Sequence, residues 1–422
     1  MPERGGLHLR MITGRHEWTL LLSLLVAFFI IGVIYSFVLG DKLRYPDERQ
    51  YWRIARNLVS EHCFCLESHK PTAYRPPLYP IVLALPAYLF GRPVAGRILN
   101  FGFLCLTLYY LYRLVKNETS PFWAIASVLV AIGYPLFSYT AGTIYPQTLA
   151  MLLYILIIWL TFARSSVSMK KASLIGSLSA LLVLAAPLFL PTVILFGGWI
   201  AFIKKWKIKK LLFFFFGFVF CIGIWSARNW ATLGSPVPFS SNGGLNLLLG
   251  NSENFDPLLG TMVDISKYIK EAELKNLDEI SRDTFYRDSA IDFIMQNKLL
   301  TIKNYFLKFA YYFHYKNELA TSSEMSTLKT NIMLFTYWPL LLFFLVRLAM
   351  AYRTKLSLLE WFLLVSYITS GAFSAIFFTR IRFRIPFDAL LIAAVVIGAA
   401  RLIDACPKGS NNLPRKVSNI EH

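Results

Sequence analysis

The stretch WTLLLSLLVAFFIIGVIYSFVL (Trp18–Leu39), followed at once by GDKLRYPDERQYW (Gly40–Trp52), decides how this chain is read. The first part is an uncharged apolar run of the length a helix needs to cross a bilayer. The second turns abruptly polar and sets two adjacent carboxylates, Asp47 and Glu48, just past the end of that crossing. A helix in lipid satisfies its own backbone, so reactive polar groups gather where the chain leaves the membrane.

Composition extends that reading to the whole chain. Its 422 residues are 56% hydrophobic and only 16% charged, with a mean hydropathy of +0.51. Soluble domains carry about a quarter charged residues. A water-soluble enzyme, a disordered chain and a disulfide scaffold are therefore excluded. About ten segments approach the length of a crossing: Trp18 to Leu39, Val94 to Val115, Pro121 to Phe137, Ile144 to Phe162, Ala172 to Ala186, Leu188 to Ile203, Leu211 to Ala227, Leu328 to Met350, Leu358 to Phe378 and Ile385 to Leu402. The fifth and sixth share one run, interrupted by Pro187 and Pro191. Proline breaks the helical ladder, so a turn is expected there. One long bent helix is the alternative, and it would invert everything downstream.

Charge separates the two. The formal net charge is +19, which in a soluble protein would suggest nucleic acid. Here the basic residues gather in alternate loops: Arg113 and Lys116, Lys170 and Lys171, Lys204 to Lys210, Arg353 and Lys355. The intervening turns near Tyr139 and Pro187 carry none. The positive-inside rule then places both termini in the cytoplasm and the long segments 40–92 and 228–327 outside, as two spans require. The expectation is an all-α, multi-pass inner (plasma) membrane protein. It has one domain over residues 1–402, a cytoplasmic tail over 403–422, membrane lipid around it and no nucleic-acid partner. The exception to the charge rule is the short turn Thr379-Arg-Ile-Arg-Phe-Arg-Ile-Pro386, with three arginines on the outer side.

Both long segments contain amphipathic helices. Tyr51, Ile54, Ala55, Leu58 and Val59 share one helical face, as do Leu299, Ile302, Phe306 and Phe309, with Lys303 and Lys308 off that stripe. Such helices lie in the headgroup plane.

Five groups of residues have chemistry to offer. Asp47 and Glu48 follow Pro46 at a helix start, where carboxylates either cap the helix or serve as a general base. Arg75, after Tyr74 and before a Pro-Pro corner, either grips a phosphate or snorkels to headgroups. Arg97 lies inside a span, which makes it a functional candidate by default. The stretch from Arg228 through Ser241-Asn-Gly-Gly-Leu-Asn246 to Gly250-Asn251 forms a turn-rich loop without a nucleotide motif. Arg380, Arg382 and Arg384 stand where a lipid phosphate would enter. The histidines form no ligand cluster, and the five cysteines show no metal spacing.

Read in order, these pieces resemble the GT-C membrane glycosyltransferases that use a polyprenyl-phosphate sugar as donor, among them the protein O-mannosyltransferases and the aminoarabinose transferases of lipid A. The resemblance runs from Asp47-Glu48-x-x-Tyr51 through Arg75-Pro-Pro-Leu-Tyr-Pro80, Gly91 with Arg97, and Arg228-Asn229 to Gly250-Asn251 and Arg382-Phe-Arg-Ile-Pro386. It implies a GT-C fold with roof helices in two outer loops. It also implies sugar transfer at the outer face to a lipid, glycan or protein acceptor, with Asp47 as base and Glu48 its partner. By the same resemblance Arg75, Arg97, Arg228, Arg382 and Arg384 hold the donor phosphate, and Tyr51, Tyr74, Asn242, Asn246 and Asn251 line the pocket. The chain departs from the aminoarabinose group at Gln50, where those relatives have Arg. It departs again at Tyr145-Pro-Gln147, where many relatives carry an acid. A divalent cation is compatible with carboxylates beside a phosphate, but Asp47 and Glu48 alone are too few ligands to assign one. The reading from a different class is a transporter or flippase of lipid-linked sugars, and a polymerase is a third.

Overall fold

The computed structural model describes residues 14–163, 166–315 and 327–405. The residues before 14, positions 316–326 of the second long segment and the expected tail from 406 lie outside the described residues.

Each apolar segment expected from the sequence is helical, but the helices are unequal. His16–Leu39, Pro93–Glu118, Ile208–Leu233, Thr330–Tyr352 and Ile381–Asp404 are each long and apolar enough to cross a membrane. Pro121–Ile132 and Pro135–Ala141, bent by 61° at Pro135, make a sixth if they are taken as one crossing. Gln147–Phe162, Pro187–Ile203 and Leu358–Ser374 are shorter apolar helices. The all-α, multi-pass architecture expected from the sequence is thus present, with five or six helices long enough to cross on their own and shorter apolar helices between them. Prolines cause much of the shortening, since a helix stops or bends where the amide proton is missing. Serines mark other ends. Ser168 accepts from the Lys171 amide, and Ser357 forms a reciprocal capping box with Glu360.

Helix Ile381–Ala405 is the axis of the bundle. Its apolar window is 83% buried, against 22% or less for the helices near residues 30, 220 and 340. Those three turn Ile31, Val38, Phe216, Val219 and Phe335 outward, as helices facing lipid do. Of the Phe213 to Phe216 cluster, only Phe214 is buried. Helices Met169–Ala185 and Ile208–Leu233 cross with their backbones in contact. A Cβ on Gly176 would lie 1.9 Å from the Phe214 carbonyl oxygen, and one on Gly217 2.3 Å from that of Ser173. Small residues permit this approach where lipid gives no hydrophobic drive.

The two long segments meet at one end of the bundle. Helix Pro46–Ser60 packs on Leu78–Phe90, and Gly243–Gly250 on Glu279–Gln296. A short antiparallel hairpin, Cys65–Glu67 with Lys70–Pro71, leads into Thr72 to Arg75. There the second segment joins the first. Ser241 N donates to Ala73 O at 2.9 Å, and the Arg228 guanidinium donates to Thr72 O at 2.8 Å and Phe64 O at 3.1 Å. This contact puts both long segments at the same end of the bundle. The chain breaks at Ala186 and Pro187, between Met169–Ala185 and Leu190–Gly198, where the prolines predict a turn.

Candidate functional site

Helix Pro46–Ser60 begins with Pro46 at its first position, and its opening turn carries the acidic pair. Neighbouring residues on a helix point about 100° apart, so the two carboxylates part company. Glu48 turns inward and is 1% exposed. It accepts backbone amides from Arg44 at 2.7 Å, Tyr45 at 3.0 Å and Ile144 at 2.9 Å. Asp47 turns the other way. Its carboxylate meets Arg75 at 2.5 Å and Arg382 at 2.9 Å, one guanidinium on each oxygen.

The two arginines are held from behind. Gln50, one turn after Asp47, accepts from Arg75 Nε at 2.7 Å. The Tyr51 and Tyr74 rings lie 5.3 and 5.2 Å from the Arg75 guanidinium carbon, and Tyr145 lies 5.2 Å from that of Arg382. Cation–π contacts of this kind fix a guanidinium without neutralising it. Burial pushes the Asp47 carboxyl up, but the charges of Arg382 and Arg75 outweigh it and hold Asp47 below its ordinary value.

These groups open on a cavity of about 380 Å³. Its polar lining is Asp47, Arg75, Gln147, Asn242, Asn246 and Arg382. Its apolar lining includes Ala185 to Pro191, Phe239, Phe373 and Ile376 to Phe378. Two polar atoms at this site are buried with no hydrogen-bond partner among the described residues: Arg382 Nε and Gln147 Oε1. A guanidinium N–H and an amide oxygen left unpaired under cover are costly unless a ligand completes them.

The structure brings Asp47, Tyr51, Arg75, Asn242, Asn246 and Arg382 to this cavity. It places the other expected residues elsewhere, and each has a physical reason. Glu48 is spent on backbone amides, so it positions the helix. Arg97 is 1% exposed, donates to Gly142 O at 2.9 Å and to the Gly40 and Lys42 carbonyls, and lies 3.9 Å from Glu48. Arg228 holds the hairpin, as above. Arg384 is fully buried against Asp388 at 3.1 Å and the Tyr337 ring at 3.5 Å, and it donates to His314 O. Tyr74 backs Arg75 from outside the lining. Asn251 ties Leu247 O to Ile376 O through its amide. Among the described residues no group of three or more His, Cys, Asp or Glu is placed to hold a metal ion.

Sequence reasoning passed over three supports. Glu279 accepts from Thr72 Oγ1 at 2.6 Å, the Ala73 amide at 2.8 Å and Ser241 Oγ at 2.5 Å, which sets the turn before Arg75. Asp283 accepts the Gly244 amide at 2.7 Å and so anchors the helix bearing Asn246. No local pattern marks either residue. The third is Lys308, expected off the apolar stripe of its helix. The stripe faces away from the protein, with Leu299, Ile302 and Phe306 exposed, and Lys308, off it, is 1% exposed. It donates to Gly250 O at 3.0 Å and Phe377 O at 2.8 Å, beside the cavity wall.

Burial lowers the Lys308 ammonium from its ordinary 10.5 to about 7. Between those values the unfolded chain binds a proton that the folded protein does not, so this residue makes stability rise with pH. The expected result is that the thermal midpoint in detergent, relative to Lys308→Met, climbs from pH 7 to pH 10. A constant difference would show that Lys308 is not buried uncharged there.

No family model matches the chain, and no curated protein does. Among solved structures it is similar to ArnT from Cupriavidus metallidurans bound to undecaprenyl phosphate. The identity is 12%, with 89% of this chain and 77% of that one covered and a TM-score of 0.39. The apo state of the same protein gives 13%, 90%, 78% and 0.40. A likeness of that degree assigns neither family nor activity to the chain.

Proposed function

We propose that the protein is an integral membrane glycosyltransferase that moves a sugar from a polyprenyl phosphate to an acceptor hydroxyl. The observation that carries this reading is the meeting of Asp47, Arg75 and Arg382, from three distant parts of the chain, in the lining of a largely apolar cavity. An apolar wall suits a prenyl chain, and paired guanidiniums suit its phosphate. A carboxylate at the same point suits an incoming hydroxyl. Of the motifs that resemble the GT-C transferases in sequence, Asp47, Tyr51, Arg75, Asn242, Asn246 and Arg382 line this cavity.

In the step we propose, the acceptor oxygen attacks the anomeric carbon and its proton passes to Asp47. The bond from that carbon to the phosphate oxygen breaks, and the electron pair leaves on the phosphate, where Arg75 and Arg382 stabilise it. A single displacement inverts the anomeric centre. Without donor, both arginines are engaged by Asp47, so donor phosphate must draw them away and release the carboxylate. Donor binding would thereby arm the base. We place the reaction on the outer face of the plasma membrane, with both termini cytoplasmic.

The test is release of polyprenyl phosphate from a radiolabelled lipid-linked sugar by the protein in proteoliposomes. Cleavage with inversion is expected. Passage of intact donor across the bilayer without cleavage would replace this reading with a flippase. The pH profile adds a sign. Free-enzyme Asp47 is held low, so kcat/KM stays level until pH falls below the usual carboxylate range. With its arginines on phosphate, Asp47 titrates higher, so the acid limb of kcat lies at higher pH than that of kcat/KM. Coincident limbs would contradict the exchange of partners.

A further inference from the structure

Granting that reading of the site, we infer that the transferred sugar is uncharged and that Gln147 is the residue that recognises it. Two observations carry this. The first is charge balance. Arg75 and Arg382 bring two positive charges to the lining, and Asp47 is its one carboxylate among the described residues. A sugar phosphodiester brings one more negative charge, which makes the occupied site neutral when the sugar itself has none. A protonated amino sugar would add a positive charge that the lining does not balance, since Asp47 and the phosphate already offset the two guanidiniums. A uronate would compete with the phosphate for the same two arginines. In a cavity with so much apolar wall an unmatched charge is disfavoured.

The second observation is the unpaired buried amide oxygen of Gln147. Gln147 starts helix Gln147–Phe162 directly after Tyr145 and Pro146, and the Tyr145 ring lies against Arg382. It lines the same cavity as Arg75 and Arg382. An uncharged amide matches a hydroxyl, as donor or acceptor, and offers a cation no counter-charge. A site built to hydrogen-bond a substrate hydroxyl discriminates strongly against analogues that leave its own polar group unpaired.

The experiment compares three donors on one short polyprenyl phosphate: a neutral hexose, a 4-amino sugar and a hexuronate. Binding of sugar-free polyprenyl phosphate is measured alongside. The wild type is expected to consume the hexosyl donor at least about tenfold faster than either charged donor. Gln147→Ala should lower kcat/KM for the hexosyl donor by about tenfold or more while sugar-free lipid still binds. Gln147→Glu should move the preference toward the amino sugar, a change that damage to the fold would not produce. Preference of the wild type for a charged donor, or no change of preference in Gln147→Glu, overturns the inference alone. Consumption of none of the three donors overturns it together with the proposed function.

Discussion

Asp47→Asn is expected to bind polyprenyl phosphate at least as tightly as the wild type and to transfer sugar about 10²–10⁴-fold more slowly. The two halves of that result have different causes. In the unliganded protein the carboxylate competes with phosphate for Arg75 and Arg382. An amide keeps the shape and removes the charge, so both guanidiniums become available to the donor. The same amide cannot take a proton from an acceptor hydroxyl, and the rate falls by the value of general-base catalysis. Equilibrium binding of labelled polyprenyl phosphate and single-turnover transfer separate the two. If Asp47→Asn weakens binding and leaves the chemical step intact, Asp47 is a structural counter-ion and the proposed base lies elsewhere.

Arg382→Ala is expected to lower kcat/KM for the lipid-linked donor by about 10²–10³-fold, the usual loss when one positioned stabiliser of developing charge is removed. Arg75→Ala should behave alike, with Arg75→Lys recovering part of the binding, since an ammonium replaces the charge but not the planar fork. Gln50 and the Tyr51 and Tyr74 rings are shaped to that fork. Arg384→Ala provides the contrast. It leaves Asp388 buried without its cation, and removing one partner of a buried pair costs about 3–5 kcal/mol. Its effect should therefore appear as lost thermal stability and yield. Purified Arg384→Ala that remains as stable as the wild type but fails to bind donor would return that residue to the phosphate site.

The arginine triplet shows how far the sequence could be followed. Arg380, Arg382 and Arg384 alternate along the chain, and as an extended turn they would share one face. The segment is instead the start of helix Ile381–Ala405. Residues two apart on a helix point about 200° apart, so Arg382 reaches Asp47 while Arg384 enters the core beside Asp388. Asp47 and Glu48 divide by the same geometry. Both outcomes were legible in principle, had the helix been assigned from Ile381. The roles of Glu279, Asp283 and Lys308 were not, because each depends on contacts tens to hundreds of residues away and makes no local pattern.

The sequence by itself determined the apolar helices, their breaks at proline and the amphipathic face of helix Pro46–Ser60. Each of these follows from the length and period of apolar residues against lipid or water, which is a local quantity. The tertiary structure alone decided which charges are spent and which remain for a ligand. Glu48, Arg97, Arg228 and Arg384 find their partners inside the fold, whereas Asp47, Arg75 and Arg382 meet one another in the lining of a cavity. An isolated charged residue has the same composition in both settings. Only the donors and acceptors that packing brings to it fix whether its charge belongs to the fold or to the substrate.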